Sequence, residues 1–350
     1  MGPTDAVEWA RSLGVSLDAV EQYRSAETFD LHVDTYIWSR ILRYDLHRRH
    51  RRGPLGRHWF WQVDLPRALD GAIAGAIWSI TTNPFRSADA RRRAFDTNMD
   101  DLRTRLAAHP DVDVVTNATE YRAARAAGKH GAFIGIQGGN ALSSSIEDLD
   151  VLRDGAVVRV TLVHLTNSRI GATSSPLSRL GRRAGLNEFG REVVARLDDA
   201  KVLVDLAHIS EAGFWAAVDA HDPELPLIVT HTGVDGVHPH WRNLTDHQIR
   251  AVAETGGCVG VMLQESFLGK RPVSVATTVD HLAHIVEVGG EDAAAIGTDF
   301  DGLVSPPRQL TGYSAFPRLV EEMRRRHWSE DRVSKVLGGN ALRTISLIRE

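Results

Sequence analysis

Short apolar runs alternate with longer stretches of mixed polarity along most of the chain. The apolar runs are rich in Val, Ile, Leu and Ala and are flanked by turn-forming residues, a pattern typical of buried β-strands. We predict eight strands, over residues 27–33, 71–80, 131–137, 157–164, 202–208, 227–231, 258–263 and 293–299. The stretches between them predict helices, among them 88–109, 119–129, 144–152, 187–199, 245–254 and 278–288.

The regular alternation of strand and helix predicts the fold class. Apolar, β-branched strands belong in a parallel sheet that is covered on both faces, and eight such units predict a closed (β/α)8 TIM barrel. An open, doubly wound sheet is the alternative. No linker or break in composition interrupts the pattern, so we expect residues 1–350 to form a single domain. In that domain residues 1–26 form a helical lead-in, and two helices over 316–348 close the fold.

The composition narrows the class of partner. Hydrophobic residues make up 43% of the 350 residues and charged residues 25%, as in ordinary globular proteins, and the net charge of −4 argues against binding to nucleic acid or to a membrane surface. The basic run over residues 47–52 is better explained as a solvated surface than as a device that steers an acidic substrate. A single cysteine, Cys258, excludes an internal disulfide, and no apolar leader is visible. We therefore expect a cytoplasmic protein with a small-molecule substrate.

Polar side chains recur where the predicted strands end, and these residues are His32, Asp34, Gln137, His164, His208, His231 and Asp299. In a barrel of parallel strands the carboxyl ends meet on one face, where active sites lie. Any one of these residues alone is better explained as a hydrogen-bonded polar group. Together, the imidazoles and carboxylates would be costly to desolvate unless an ion or a substrate satisfied them. The pattern therefore predicts a centre for zinc or a similar divalent cation.

Several longer motifs carry a resemblance to a known family. They include Asp30–Asp34, Gly185–Arg191, Val204–Ser210, Trp241–Leu244, Gly297–Gly302 and Gly338–Leu342. With these motifs the chain resembles the membrane (renal) dipeptidase family of zinc peptidases, within the amidohydrolase superfamily, over nearly its whole length. The resemblance implies a barrel of the metallo-dependent hydrolase type, a dipeptide as substrate and a homodimer as the assembly.

The same resemblance implies two pairs of metal ligands. His32 and Asp34 would bind a first zinc ion, and His208 and His231 would bind a second. Such ions lower the pKa of a bound water toward neutrality, which supplies a nucleophile at pH 7.

Four further residues receive roles from the resemblance. His164 would polarise the scissile carbonyl and steady the tetrahedral oxyanion. Asp299 would take a proton from the attacking water and pass it to the leaving amine. Arg242, together with Asn243, would bind the substrate carboxylate, for which the planar fork of the guanidinium is suited.

Gln137 departs from the family pattern, in which a glutamate at the end of the third strand bridges both ions. Asn140 likewise stands where the family usually has a histidine. An amide oxygen can coordinate a metal but brings no charge. Two divalent ions about 3.5–4 Å apart repel by roughly 20 kcal/mol even at an effective dielectric of about 20. We therefore expect Gln137 to contact one firmly bound Zn²⁺, with a second ion weakened.

Three functions fit these residues. The first is a metal-dependent hydrolase that cleaves a peptide or amide bond in a small carboxylate-bearing substrate. The second is a diverged tailoring enzyme, such as a lyase or isomerase, that uses the remaining ion as a Lewis acid. The third is an inactive binding homologue on the same scaffold. We rank them in this order because Arg242, His164 and Asp299 are all present.

Overall fold

The computed structural model describes residues 5–51, 60–176 and 185–350. Within them nine parallel strands form one sheet: β1 (Phe29–Val33), β2 (Gly75–Thr81), β3 (Val112–Val114), β4 (His130–Gln137), β5 (Arg159–Thr161), β6 (Leu203–Asp205), β7 (Leu227–Thr232), β8 (Cys258–Val261) and β9 (Ala294–Ile296). The wall of the barrel follows the order β1-β2-β4-β5-β6-β7-β8-β9, and β3 pairs with β4 off this path. The eight predicted strands are all present, and β3 is one that the sequence analysis missed.

The barrel closes where β9 returns to β1. The backbone N–H of Asp34 donates to the carbonyl of Phe300 at 3.0 Å, which continues the ladder beyond both strands. The buried carboxylate of Asp30 accepts hydrogen bonds from the backbone N–H and the hydroxyl of Thr298, at 2.9 and 2.5 Å. These contacts join the first strand to the last and place their carboxyl ends side by side.

Helices alternate with the strands and cover the barrel. They are α1 (Ala6–Leu13), α2 (Leu17–Ser25), α3 (Tyr36–Leu42), α4 (Leu65–Asp70), α5 (Ala88–Ala107), α6 (Ala118–Ala126), α7 (Glu188–Asp199), α8 (Glu211–Ala220), α9 (Asp246–Glu254), α10 (Glu265–Leu268), α11 (Val275–Gly289), α12 (Pro317–Arg325), α13 (Glu330–Ser334) and α14 (Asn340–Ile348). Asn187, Ser210 and Thr245 cap α7, α8 and α9, because each side chain accepts from a backbone N–H three residues on.

Two of the predicted helices differ in the structure. The stretch predicted as a helix over 144–152 is a 3-10 helix over Glu147–Asp154. The carboxyl-terminal region contains three helices rather than two, with a π-helical turn, Lys335–Gly339, between α13 and α14. Gly338 in that turn lies so close to the carbonyl of Glu27 that a Cβ would stand 1.8 Å from its oxygen. The contact requires glycine and seats this region against β1.

The remaining sequence predictions on surface and core are simple to place. In the basic run over residues 47–52, Arg48, Arg49 and Arg51 are exposed, as the prediction of a solvated surface requires. Arg52 lies outside the described residues. Cys258 is fully buried in the core. Among the described residues, no helix combines the length and the apolar character that crossing a bilayer requires.

Candidate metal centre and active site

The barrel brings the predicted site residues together at the carboxyl ends of its strands. The rings of His32 and His231 lie 4.0 Å apart between centroids, and those of His164 and His208 lie 4.7 Å apart. His208 Nε2 is 2.8 Å from His231 Nε2. The Oδ1 atom of Asp299 is 3.7 Å from His32 Nε2. Side chains from five separate strands or strand ends thus converge on one small volume.

Left-handed backbone turns aim two of these side chains into the barrel mouth. His208 has φ of 66° and Asp299 has φ of 57°, three residues beyond the ends of β6 and β9. This conformation is uncommon for residues with a side chain and ends the extended ladder. Gly302 makes room for Asp299, because a Cβ on Gly302 would stand 2.2 Å from Asp299 Oδ1. Strained turns of this kind cluster at functional sites.

The hydrogen bonds around His231 prepare its Nε2 to bind a cation. The hydroxyl of Thr230 donates to the buried carboxylate of Asp205 at 2.7 Å. The same hydroxyl oxygen lies 2.8 Å from His231 Nδ1 and must accept its proton. The proton of His231 is thus on Nδ1, and Nε2 keeps a free lone pair, as metal binding requires. His208 can donate to that lone pair only while no cation is bound there.

His32 has the opposite arrangement. Arg159, which is fully buried, donates from Nη2 to His32 Nδ1 at 3.0 Å and to the hydroxyl of Ser79 at 2.7 Å. A guanidinium has no lone pair to offer, so the proton of His32 lies on Nε2. That atom is 3.5 Å from Asp34 Oδ1 and 3.7 Å from Asp299 Oδ1. A cation at this position must displace a proton, and His231 is the better prepared ligand.

The amide of Gln137 is hydrogen-bonded to the carboxylate of Asp34 and blocks it. With the amide nitrogen toward Asp34, Gln137 donates to Oδ1 at 2.9 Å and to Oδ2 at 2.6 Å, and its oxygen lies 3.2 Å from the Nε2 atoms of both His32 and His164. Only this orientation pairs donors with acceptors on both sides of the amide. An N–H group thus fills the place on Asp34 where a cation would otherwise be held.

Burial keeps the histidines of the site neutral. It lowers the pKa of His164 to about 4, and it holds the pKa values of His208 and His231 well below their ordinary range. Neutral imidazoles are the form that binds metals. The pKa of Asp299 is raised well above its usual value, first by burial and then by the charge of Asp34. Burial would also raise the pKa of Asp34, but His32, His164 and Arg159 together outweigh it, and the net shift is downward.

Arg242 is a buried cation that forms no ion pair with a carboxylate of the described residues. It is 5% exposed, and the one hydrogen bond that its guanidinium makes to these residues runs from Nη2 to the carbonyl of His231 at 2.9 Å. Burial lowers its pKa to about 10, so it remains charged at neutral pH. It lines a cavity of about 220 Å³ together with Gln137, His164, Leu165, Thr173, Ser174, Ser175, His208, Trp241, Met262, Gln264, Phe267, Asp299, Gly302 and Val304.

Asn243 has a different position. It does not line this cavity, and its amide nitrogen donates to the carbonyls of His238 and Phe267, at 2.7 and 2.8 Å. A Cβ on Gly233 would stand 2.5 Å from Asn243 Oδ1, so that glycine makes room for the amide. Asn243 therefore links its own loop to α10 through hydrogen bonds. We retain only Arg242 as a proposed substrate-binding residue.

The residues present fit a single cation. The ligand atoms of His32, His231 and Asp299 all lie within 4.8 Å of one another. Asp299 Oδ1 is buried and has no hydrogen-bond partner among the described residues, which is costly unless a ligand satisfies it. Two imidazoles and a carboxylate are a common set of ligands for zinc and for similar transition metals, and His32 joins the set once its Nε2 proton is displaced.

Arg159, Thr230 and Asp205 were not among the residues singled out from the sequence. Arg159 did leave a signal, because an arginine inside the apolar run Val157–Val163 must be buried, and buried arginines are almost always paired. Thr230 and Asp205 left none, since their roles depend on contacts between β6 and β7.

Comparison with known proteins agrees with this geometry. A sequence model of the membrane dipeptidase family (Peptidase family M19) matches residues 19–350. An amidohydrolase from Pseudomonas aeruginosa superposes with a TM-score of 0.75 at 22% identity, over 95% of this chain and 99% of its own.

Two further solved structures share the fold. One is a metallo peptidase from Rhodobacter sphaeroides, liganded with a phosphinate mimic of the dipeptide L-Ala-D-Ala. It superposes with a TM-score of 0.79 at 24% identity, over 91% of this chain and 98% of its own. The probable dipeptidase PvdM from Pseudomonas aeruginosa superposes with a TM-score of 0.83 at 18% identity, over 97% of this chain and 98% of its own. At these identities the structures establish the fold, a TIM barrel, and the family match shows that the chain belongs to the membrane dipeptidase family of metal-dependent hydrolases.

Proposed function

We propose that this protein hydrolyses a peptide or amide bond in a small substrate that carries a free carboxylate, dipeptides included, with one bound divalent ion. The observation that carries the proposal is the buried charge of Arg242, which has no ion-pair partner among the described residues, in a cavity that Asp299, one of the proposed metal ligands, also lines. A buried cation is costly unless an anion neutralises it, so an anionic ligand is expected there. The cavity, of about 220 Å³, suits a small substrate.

Three polar residues of the cavity have a place in this reaction. Arg242 binds the carboxylate and so fixes the scissile bond over the mouth of the barrel. Asp299, with its free Oδ1, accepts a proton from the attacking water and returns it to the leaving amine. His164 lines the same cavity and steadies the developing oxyanion. When bound, the ion supplies Lewis acidity and lowers the pKa of a coordinated water.

The charges around the mouth support one ion rather than two. The buried guanidinium of Arg159 already opposes the charge of the Asp34 carboxylate, so less of that charge is left for a second ion. A second ion about 3.5–4 Å from the first would meet a repulsion of roughly 20 kcal/mol with no anionic bridge to offset it. Gln137 also donates to both oxygens of Asp34. We propose His32, His231 and Asp299 as the ligands, with His208 beside them and zinc as the metal.

A panel of L-L and L-D dipeptides and N-acyl amino acids, assayed with zinc and after treatment with a chelator, tests the proposal. We expect turnover that is lost with the metal and restored by adding it back. Asp299→Asn should abolish turnover, whereas Asp219→Asn, an exposed change on α8, should not. Metal-bound protein that turns over no member of the panel would favour the diverged or binding homologue instead. The homodimer, the single domain and the cytoplasmic location remain predictions; light scattering tests the first.

A further inference from the structure

The wall of the cavity beside Arg242 is apolar and aromatic. Trp241, Met262, Phe267 and Val304 line it there. Met262 and Val304 are buried, whereas Trp241 is 44% exposed and immediately precedes Arg242 in the chain. An exposed tryptophan in a cavity, next to an unpaired buried cation, indicates a surface for a ligand that is apolar on one side and anionic on the other.

The aromatic residues of this wall form a packed cluster. Trp241 contacts the ring of His240 at 5.0 Å and that of Phe267 at 5.9 Å between centroids, and His240 lies 4.4 Å from Phe267. His240 Nδ1 accepts the backbone N–H of Arg242 at 3.2 Å. The cluster is thus fixed to the same short segment that positions the guanidinium. A rigid platform loses little entropy when a ligand side chain packs on it.

Asn243 holds the two halves of the cluster together. Its amide nitrogen donates to the carbonyl of His238 on its own loop and to that of Phe267 in α10. The loop that carries Trp241 and the helix that carries Phe267 therefore keep a fixed separation. Asn243 is accordingly a positioning residue for the platform rather than a group that contacts substrate.

The polar side chain on this wall, Gln264, is already hydrogen-bonded to protein groups through both its oxygen and its nitrogen. Gln264 Oε1 accepts the backbone N–H of Ser305 at 2.5 Å, and its Nε2 donates to the hydroxyl of Ser266 at 2.8 Å. The segment after β5 brings hydroxyl groups to the same cavity, and Ser174 Oγ is buried without a partner among the described residues. We therefore expect this segment to recognise polar groups of a ligand, and the side chains of Trp241 and Phe267 to recognise apolar surface.

We infer that the substrate residue that bears the free carboxylate has a large apolar or aromatic side chain, which packs on the platform formed by His240, Trp241 and Phe267. The inference rests on the proposed function, because Arg242 must bind that carboxylate. Packing a phenyl ring in place of a methyl group at such a site increases affinity by roughly 10- to 100-fold.

Binding of two non-hydrolysable carboxylates, 3-phenylpropanoate and propanoate, to the zinc-loaded protein tests the inference by calorimetry. We expect the phenyl compound to bind about 10- to 100-fold more tightly. Trp241→Ala should remove most of that ratio. Trp215→Ala, which removes a 39% exposed tryptophan on α8 outside the cavity, should leave it unchanged. The exposure of Trp241 makes its replacement compatible with folding, and circular dichroism checks this.

The outcomes separate the inference from the proposed function. Equal affinity for the two carboxylates, or a ratio that Trp241→Ala does not change, overturns the platform even if dipeptides are hydrolysed. A high ratio that depends on Trp241, in a protein that turns over no substrate of the panel, supports the platform and contradicts the hydrolytic proposal.

Discussion

Replacing Gln137 with glutamate tests why this site should hold a single ion. The change restores a carboxylate at the end of β4, at the position from which the amide nitrogen now donates to both oxygens of Asp34. Without metal, the new carboxylate oxygen would face those oxygens at the present separations of 2.6 and 2.9 Å. With metal, the two carboxylates could share two cations.

The size of the effect follows from these separations. Two unit negative charges about 2.8 Å apart repel by roughly 6 kcal/mol at an effective dielectric of about 20. Both side chains are nearly inaccessible to solvent, so salt screens this repulsion little. In chelator, Gln137→Glu should therefore be less stable than the wild type by several kcal/mol, or should take up a proton to avoid the loss. Excess zinc should remove the difference.

The assay has two parts. Elemental analysis after dialysis counts the ions in the wild type and in Gln137→Glu, and we expect about one and about two. Urea unfolding with chelator and with zinc then gives the free energy of unfolding in each state. Asp34→Asn, introduced into both backgrounds, completes a double-mutant cycle and should relieve the variant but not the wild type.

The reasoning is refuted if Gln137→Glu binds no more metal than the wild type and is equally stable in chelator. That result would mean that the side chain at position 137 does not face Asp34. A variant that gains metal but shows no interaction energy with Asp34→Asn would place the second ion elsewhere.

Three further changes test other parts of the site. Thr230→Val removes the acceptor for the Nδ1 proton of His231, so it should weaken zinc binding about 10- to 100-fold in a chelator competition. The control Thr230→Ser keeps the hydroxyl and should bind zinc like the wild type. Undiminished zinc affinity in Thr230→Val would contradict the tautomer assigned to His231. Arg242→Ala should raise KM at least tenfold for carboxylate-bearing substrates, with Arg242→Lys intermediate because it lacks the fork; an unchanged KM would remove it from substrate binding. Burial holds the pKa of His281 at about 4 against an ordinary 6.5. As the pH falls from 6.5 toward 4, the unfolded chain therefore binds a proton at this histidine and the folded protein does not. The free energy of unfolding should fall for this reason by about 2 kcal/mol at pH 5. His281→Gln should lose correspondingly less stability than the wild type between pH 7.5 and 5 in urea unfolding, unlike the exposed control His247→Gln, and equal losses in both would count against this assignment.

The barrel was predictable because its strands are buried on both faces. Such strands read as continuous apolar runs, and their order in the chain is their order around the barrel, with β3 the exception. Their ends were less predictable. The runs ending at His208 and Asp299 continue in sequence beyond the last residue of β6 and β9, yet both residues adopt a left-handed conformation that breaks the ladder. Nothing local in the sequence marks that turn, which is imposed by contacts at the barrel mouth.

The site was predictable in outline and not in its pairings. Strand-end positions indicated which side chains would meet, since parallel strands share a carboxyl-terminal edge. The orientation of Gln137 toward Asp34 depends on a contact between strands. The tautomer of His32 depends on Arg159 of β5, and that of His231 depends on the Thr230 hydroxyl, which Asp205 of β6 orients. Asn243 received the same substrate-binding role as Arg242 from the family resemblance, through the motif Trp241–Leu244. Their side chains diverge, and only Arg242 lines the cavity.

The most direct test of the account is an anomalous difference map from crystals of the zinc-loaded protein, measured at the zinc edge. The account predicts one strong peak at the barrel mouth, about 2.0–2.2 Å from His231 Nε2 and from a carboxylate oxygen of Asp299, with the amide of Gln137 still bonded to Asp34. Two peaks of equal strength flanking Gln137, or no peak within reach of His231 and Asp299, would contradict it.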